Sequence, residues 1–261
     1  MPKAPLAGRH AIVTGGGRGI GLAVAQELAR LGARITIMGR NEAALQAQAV
    51  ELSRSFGVDV AHERVDVTDA ASIETAFQSA AARLGSASIL INNAGIARAA
   101  PFAKTDPDFW REVIDTDLTG AFLCIRQIIK PMAAADFGRV VNIASTAGLT
   151  GYPYIAAYCA AKHGLIGLTR ALTREYARSP VTVNAVCPGY TDTDIVSGAV
   201  ASIAAKTGRD SAAALAELIA HNPQGRLIQP REVAETVAWL CLPSSASMTG
   251  QSILVAGGEL M

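Results

Sequence analysis

At 261 residues, half of them hydrophobic, the chain can bury the core of one large α/β domain or two small ones, which excludes a disordered or fibrous protein. Lysine and arginine total 23 against 22 aspartates and glutamates, a net +1 without a dense basic run, so nucleic acid and acidic membrane surfaces are poor partners. Residues 1–6 hold one cation and no apolar stretch, no later apolar run approaches the ~18 residues of a membrane span, and the four cysteines lack metal-ligand spacing. The expectation is a cytoplasmic protein with reduced, buried thiols, no secretory signal, no membrane span and no metal.

The apolar run 10–14 reads as a strand, followed at once by Gly15-Gly16-Gly17-Arg18-Gly19-Ile20-Gly21 and a helical pattern over 22–31. A G-x-x-x-G-x-G loop lets the backbone turn sharply, approach a phosphate closely and aim a helix N-terminus at its charge, so Gly15, Gly17, Arg18, Gly19 and Ile20 are candidate cofactor contacts. A second strand over 34–38 ends at Gly39-Arg40-Asn41, about 20 residues on, where an NAD site carries a ribose-binding carboxylate. None stands there. Arg18 and Arg40 instead offer two guanidinium groups to a 2′-phosphate, which predicts NADP.

The alternation continues as helix 41–55, strand 60–65, helix 70–84 and strand 88–91, the pattern of a doubly wound parallel sheet with helices on both faces. Asp66, followed by Val67 beyond the third strand, is placed to accept a hydrogen bond from an adenine amine. Asn92-Asn93-Ala94-Gly95 closes the fourth strand; its small residues let the backbone pass close to a ribose while the amides tie strand ends together.

A long helix over 107–135 contains Thr116-Asp117-Leu118-Thr119-Gly120, and an acid and a glycine in mid-helix predict a kink or a functional constraint. The strand 139–143 ends in Ala144-Ser145, at the sheet edge where open α/β proteins handle ligands. After a loop over 146–154 comes a helix bearing Tyr158 and Lys162, one turn apart on one face. A lysine charge there favours the phenolate, lowers a pKa that is otherwise about 10 and makes Tyr158 a proton donor and acceptor near neutrality. The small residues Ala157, Ala160, Ala161, Gly164 and Gly167 leave room for close helix approach.

A strand over 181–187 leads into Pro188-Gly189, residues 190–222 read as a partly helical, substrate-covering segment, and a helix over 230–240 with a strand over 252–255 finishes the chain. No linker or repeat divides it, so 1–261 is one domain. Leu149, Tyr152 and Tyr154 of the loop, with Ile195, Val196 and Ile203 of the cover, suggest an apolar or aromatic pocket, although such loops are also apolar because they pack.

Thr14-Gly15-Gly16-Gly17-Arg18-Gly19-Ile20-Gly21, Asn92-Asn93-Ala94-Gly95, Ser145, Tyr158-x-x-x-Lys162 and Pro188-Gly189 resemble, in order and spacing, the short-chain dehydrogenase/reductases. The resemblance covers essentially the whole chain. Over 138–146 and 158–164 it is most similar to the β-ketoacyl thioester reductases and aromatic polyketide ketoreductases. It implies a Rossmann-like fold and an NADP(H)-dependent exchange between a ketone and a secondary alcohol. Tyr158 would give its proton to the carbonyl oxygen, Ser145 would hydrogen-bond that oxygen, and Lys162 would hold the nicotinamide ribose while lowering the tyrosine pKa. Asn93, Ala94, Gly95, Pro188 and Gly189 would line the cofactor.

A β-ketoacyl thioester is the implied substrate, with an aryl or alkyl ketone, a steroid or a sugar left open, and the implied assembly is a homotetramer built through the long helix and the Tyr158 helix. One position departs: the family usually has Asn where Asp117 stands, anchoring a water chain to the lysine. An ionised aspartate accepts but cannot donate and would raise the lysine pKa, which predicts an altered pH profile. Two other readings stay open. An NAD-linked dehydrogenase would run toward oxidation of a hydroxyacyl-CoA, aryl alcohol, steroid or sugar, with Arg40 stacked near the adenine. A non-catalytic dinucleotide sensor would have no need of Ser145, Tyr158 and Lys162 together.

Overall fold

Each apolar run forms a strand of a single seven-stranded parallel sheet: β1 (His10–Thr14), β2 (Arg34–Gly39), β3 (Val60–Arg64), β4 (Ile89–Asn92), β5 (Gly138–Ile143), β6 (Val181–Pro188) and β7 (Ser252–Val255). This computed structural model describes residues 4–220 and 222–260; the first three residues of the N-terminal stretch considered above, and His221 in the covering segment, lie outside them. The strand order is β3-β2-β1-β4-β5-β6-β7. It reverses between β1 and β4, and in sheets of this kind ligands bind at the carboxyl ends beside such a reversal.

Strands β1, β4, β5 and β6 are buried along their whole lengths because helices cover both faces. Side chains alternate between those faces. Val13, Ile35 and Ile37 join one cluster with Leu28 of α1 (Gly19–Arg30), Leu45 of α2 (Glu42–Phe56) and Val233, while Ile12, Leu90 and Val140 join another with Phe77 of α3 (Ala70–Leu84).

The helix expected over 107–135 is divided. α4 (Pro107–Ile114) runs into a π-helical turn, Asp115–Thr119, before α5 (Gly120–Ala134) resumes. The wider turn, a form concentrated at functional sites, carries Asp117 inward until it is 1% exposed. Gly120 is required because a Cβ there would lie 2.8 Å from the Val67 carbonyl oxygen. The unfavourable pair in the sequence is thus a local distortion that buries an acid.

α6 (Ala156–Glu175) carries Tyr158 and Lys162; α7 (Asp194–Thr207) and α8 (Ser211–Ile219) make up most of the predicted cover, and α9 (Pro230–Cys241) packs its Val233 and Val237 into the first cluster. All four cysteines are free; burial pushes the Cys124 and Cys241 thiols up to about 12 and Cys187 to about 11, which makes those three inert at neutral pH.

Candidate active site

The ends of β1 and β4 are stapled together. Thr14 Oγ1 accepts from the backbone N–H groups of Asn93 (3.0 Å) and Ala94 (3.1 Å), and Asn93 Nδ2 donates to the carbonyls of Thr14 (3.0 Å) and Gly15 (3.2 Å). Behind them Asn92 Nδ2 donates to Asn142 Oδ1 at 2.8 Å, and Asn142 donates to Thr169 Oγ1 at 2.9 Å, tying β4 to β5 and α6. This lattice leaves no room for a side chain at Gly15 or Gly21. Gly15 has φ +64°, and a Cβ on it would meet Asn93 Nδ2 at 2.7 Å; a Cβ on Gly21 would sit 2.3 Å from the Gly15 carbonyl oxygen.

Gly21→Ala must therefore displace backbone, and overpacking of this kind costs about 1–3 kcal/mol. A lowered midpoint of thermal unfolding is the expected result; an unchanged midpoint would show the loop to be looser than these distances.

The start of α1 differs from that of four other helices. Asn41, Asp69, Asp106 and Asp210 cap α2, α3, α4 and α8 with side-chain oxygens, whereas α1 has no side-chain cap and no acid in its first turn. Its first N–H groups, those of Gly19 and Ile20 among them, lack a built-in acceptor beside a cradle a Cβ would fill. A pyrophosphate fits both.

Arg18 and Arg40 are both exposed at this edge, with Gly17 beside the former in the loop. Arg18 Nη1 lies 3.0 Å from Asp194 Oδ2 on α7, a solvent-exposed pair of small energetic value. Asp66 Oδ1 accepts from the Thr68 N–H (3.0 Å) and hydroxyl (2.7 Å). Those bonds first, and then the charges of Arg40 and Arg64, hold its carboxyl below the usual range. Arg40 therefore faces the end of β3. Val67 is buried and packs on Gly120, so only its backbone is left for a ligand.

The reaction centre assembles at the ends of β5 and β6. Ser145 follows the end of β5, and its Oγ accepts from the Ala147 N–H at 3.1 Å, opening a 3-10 turn. Its hydroxyl also hydrogen-bonds the Tyr158 phenol in the sense that favours the phenolate. Lys162 is 4% exposed; its Nζ donates to the Ile143 carbonyl at 3.0 Å and lies 5.4 Å from the centroid of the Tyr158 ring. Asp117 Oδ1 accepts from the Ile96 N–H at 2.8 Å, while its buried Oδ2 has no partner among the described residues. Gly95 stands between: a Cβ there would be 2.6 Å from Asp117 Oδ1 and 3.6 Å from Lys162 Nζ.

Two electrostatic expectations change. Lys162 does pull the Tyr158 pKa down, but burial, reinforced by Asp117, outweighs it, so the phenol titrates above its ordinary value rather than below. Tyr158 is accordingly protonated at neutral pH. Burial also drives the Asp117 carboxyl up to about 6, against the opposing pull of Lys162 and of the Ile96 N–H, so this acid is not the strongly ionised group assumed from its type. Lys162 makes its direct hydrogen bond to a backbone carbonyl.

The loop residues separate. Tyr152 is half-buried and its hydroxyl donates to Glu259 Oε1. Tyr154 is 65% exposed with φ +68°, its carbonyl accepting from the Ala100 N–H at 2.8 Å; it lies on the rim and is not brought to Tyr158. Gly189, after Pro188, donates its N–H to the Val255 carbonyl at 3.1 Å, and a Cβ on it would sit 2.6 Å from Glu259 Oε2. Burial, and after it the charges of Glu259 and Tyr158, push the Tyr190 phenol pKa upward. Tyr190 and Glu259 adjoin the predicted residues Gly189 and Tyr152 but were missed by the motifs; their signals were adjacency to Pro188-Gly189 and a lone acid after Gly257-Gly258.

A profile of the family described as short chain dehydrogenase matches residues 9–204. The chain belongs to that family. This short-chain dehydrogenase is 39% identical over 251 residues to cis-4-hydroxycyclohexanecarboxylate dehydrogenase of Sinomonas cyclohexanicum, with 96% of each chain covered. It is 35% identical over 253 residues to the 3-oxoacyl-(acyl-carrier-protein) reductase of Chlamydia muridarum, covering 97% of this chain and 98% of that one. Among solved structures, a point variant of actinorhodin polyketide ketoreductase with NADPH superposes with a TM-score of 0.92 at 38% identity, covering 96% and 97% of the two chains.

Proposed function

We propose that this short-chain dehydrogenase is an NADP(H)-dependent carbonyl reductase that interconverts a ketone and a secondary alcohol, with a β-ketoacyl thioester or a similarly activated ketone as substrate. The observation that carries the reading is the convergence of Ser145, Tyr158 and Lys162 at strand ends beside an uncapped helix and a glycine cradle. The reductases named above support the substrate class, and the NADPH of the ketoreductase structure supports the cofactor.

When bound, NADPH supplies the hydride that reduces the carbonyl carbon. The N–H groups at the start of α1 and of the glycine loop hold its pyrophosphate, and Arg18 and Arg40 its 2′-phosphate. Asp66, Val67, Asn93, Ala94, Gly95, Pro188 and Gly189 flank the adenosine and nicotinamide ends. Ser145 donates to the carbonyl oxygen, and Tyr158 transfers its phenolic proton there as negative charge develops. Lys162, fixed by the Ile143 carbonyl, stabilises the phenolate left behind and the ribose hydroxyls. Asp117, beside Lys162 across Gly95, belongs to the relay that returns a proton to Tyr158.

The protein acts in the cytoplasm as a homotetramer, with residues 190–222 covering the substrate. Support comes from its free cysteines and from Trp110 and Phe122, large aromatics left about two-fifths exposed on α4 and α5. No described helix is long and apolar enough to cross a membrane.

NADPH consumption over a panel of ketones and thioesters tests the activity. For the cofactor, Arg40→Glu is expected to weaken NADPH at least tenfold, about 1.4 kcal/mol, while sparing NADH. A tenfold preference of the unmodified protein for NADH would refute the role of the two arginines.

A further inference from the structure

Between the loop after β5 and Gly189 stands a carboxylate that the proposed reaction does not use. Glu259 reaches from the turn after β7 to the loop after β5, where the Tyr152 hydroxyl donates to Oε1. Burial and the Glu259 carboxylate raise the Tyr152 pKa and outweigh the opposing hydrogen bond with Thr146, so Tyr152 stays protonated as a donor. Oε2 is buried against Gly189 with no hydrogen-bond partner among the described residues. None of the ion pairs among those residues includes Glu259. Tyr190, next to Gly189, feels the charge of both Glu259 and Tyr158, and Tyr152 is held by Thr146, the neighbour of Ser145.

A buried acceptor without a donor is costly, and a carboxylate is the costliest case. A bound molecule that brings a donor removes that cost, whereas one that brings a second carboxylate adds repulsion where solvent screens little. The terminal torsion of a glutamate is soft, so either oxygen can turn toward the substrate.

We propose that Glu259 is a specificity-determining residue: it selects ketones that carry a hydroxyl or other hydrogen-bond donor remote from the reacting carbonyl and rejects keto acids. The inference rests on the carbonyl-reductase reading and narrows its substrates.

Three ring ketones of similar size test it with NADPH: 4-hydroxycyclohexanone, 4-methylcyclohexanone and 4-oxocyclohexanecarboxylate. The unmodified protein is expected to show kcat/KM about tenfold higher for the hydroxyl than for the methyl compound and about tenfold lower for the acid. Glu259→Gln keeps an acceptor and the bond from Tyr152 but not the charge, so the penalty on the acid collapses while the hydroxyl preference survives. Glu259→Leu loses both. Tyr152→Phe leaves the carboxylate in place and retains the discrimination, which separates a selective role from a merely structural one.

Unchanged substrate ratios in Glu259→Gln overturn the proposal, as does a change confined to the NADPH dissociation constant, which would assign the carboxylate to the cofactor. Equal turnover of all three ketones by the unmodified protein defeats this inference and leaves the reductase reading intact. Turnover of none of them, nor of any thioester, defeats both.

Discussion

Tyr158→Phe reduces kcat at pH 7 by about 10²–10⁴-fold, the range for loss of a general acid, and leaves the NADPH dissociation constant unchanged. The substitution removes one oxygen and keeps the ring that packs beside Ala157 and Ala161, so folding and the phosphate cradle are spared. That oxygen is where the Ser145 hydrogen bond and the Lys162 charge meet. Since burial holds the phenol protonated beyond its ordinary value of about 10, the unmodified enzyme should reduce ketones without a basic decline until the pH passes that value. Retained turnover in the phenylalanine variant would remove Tyr158 from the mechanism, and a decline centred near pH 7 would show that the lysine outweighs burial after all.

Asp117→Asn stabilises the protein at neutral pH. The carboxyl titrates at about 6 in the fold against an ordinary 3.8, so its contribution to stability is fully present below 3.8 and is lost as the pH rises through 6. The displacement corresponds to roughly 3 kcal/mol at pH 7 and above. An asparagine stands in for the protonated acid, accepting from the Ile96 N–H without the buried charge. The midpoint of thermal unfolding should rise by roughly 6–12 °C at pH 8 and by progressively less toward pH 4. A shift that does not depend on pH would mean that the charge is not the cause. In turnover, an inflection near pH 6 in the unmodified enzyme should vanish in the variant; coincident pH profiles would exclude the carboxylate from the proton relay.

Much of this site is legible before folding because its parts are local. The turn of 15–21, the carboxyl ends after Asn92 and Ile143, and the one-turn spacing of Tyr158 and Lys162 each lie within a few residues of one another. The alternation of buried runs with amphipathic ones then implies the parallel sheet that brings those ends together. Even the distortion at Asp117 left a trace, an acid and a glycine where a helix disfavours both. Its form as a π turn did not, and the Val67 carbonyl that crowds Gly120 comes from the turn after β3, far off in the chain.

Charge states and substrate contacts were the illegible part. The lysine beside Tyr158 suggests a lowered pKa, yet desolvation, a property of everything packed around the phenol, decides the direction. Tyr152 and Tyr154 look alike in the chain, but a left-handed backbone at Tyr154 turns it to the rim while Tyr152 reaches Glu259, 107 residues away. Pattern determined the sheet, the glycine turn and the spacing of Tyr158 and Lys162, because short-range periodicity and turn chemistry encode them, and the resemblance of those motifs pointed to the family. Only the tertiary structure decided that Asp117 titrates near neutrality and that Glu259 meets Tyr152, because burial and contact between distant segments arise only when the chain has closed on itself.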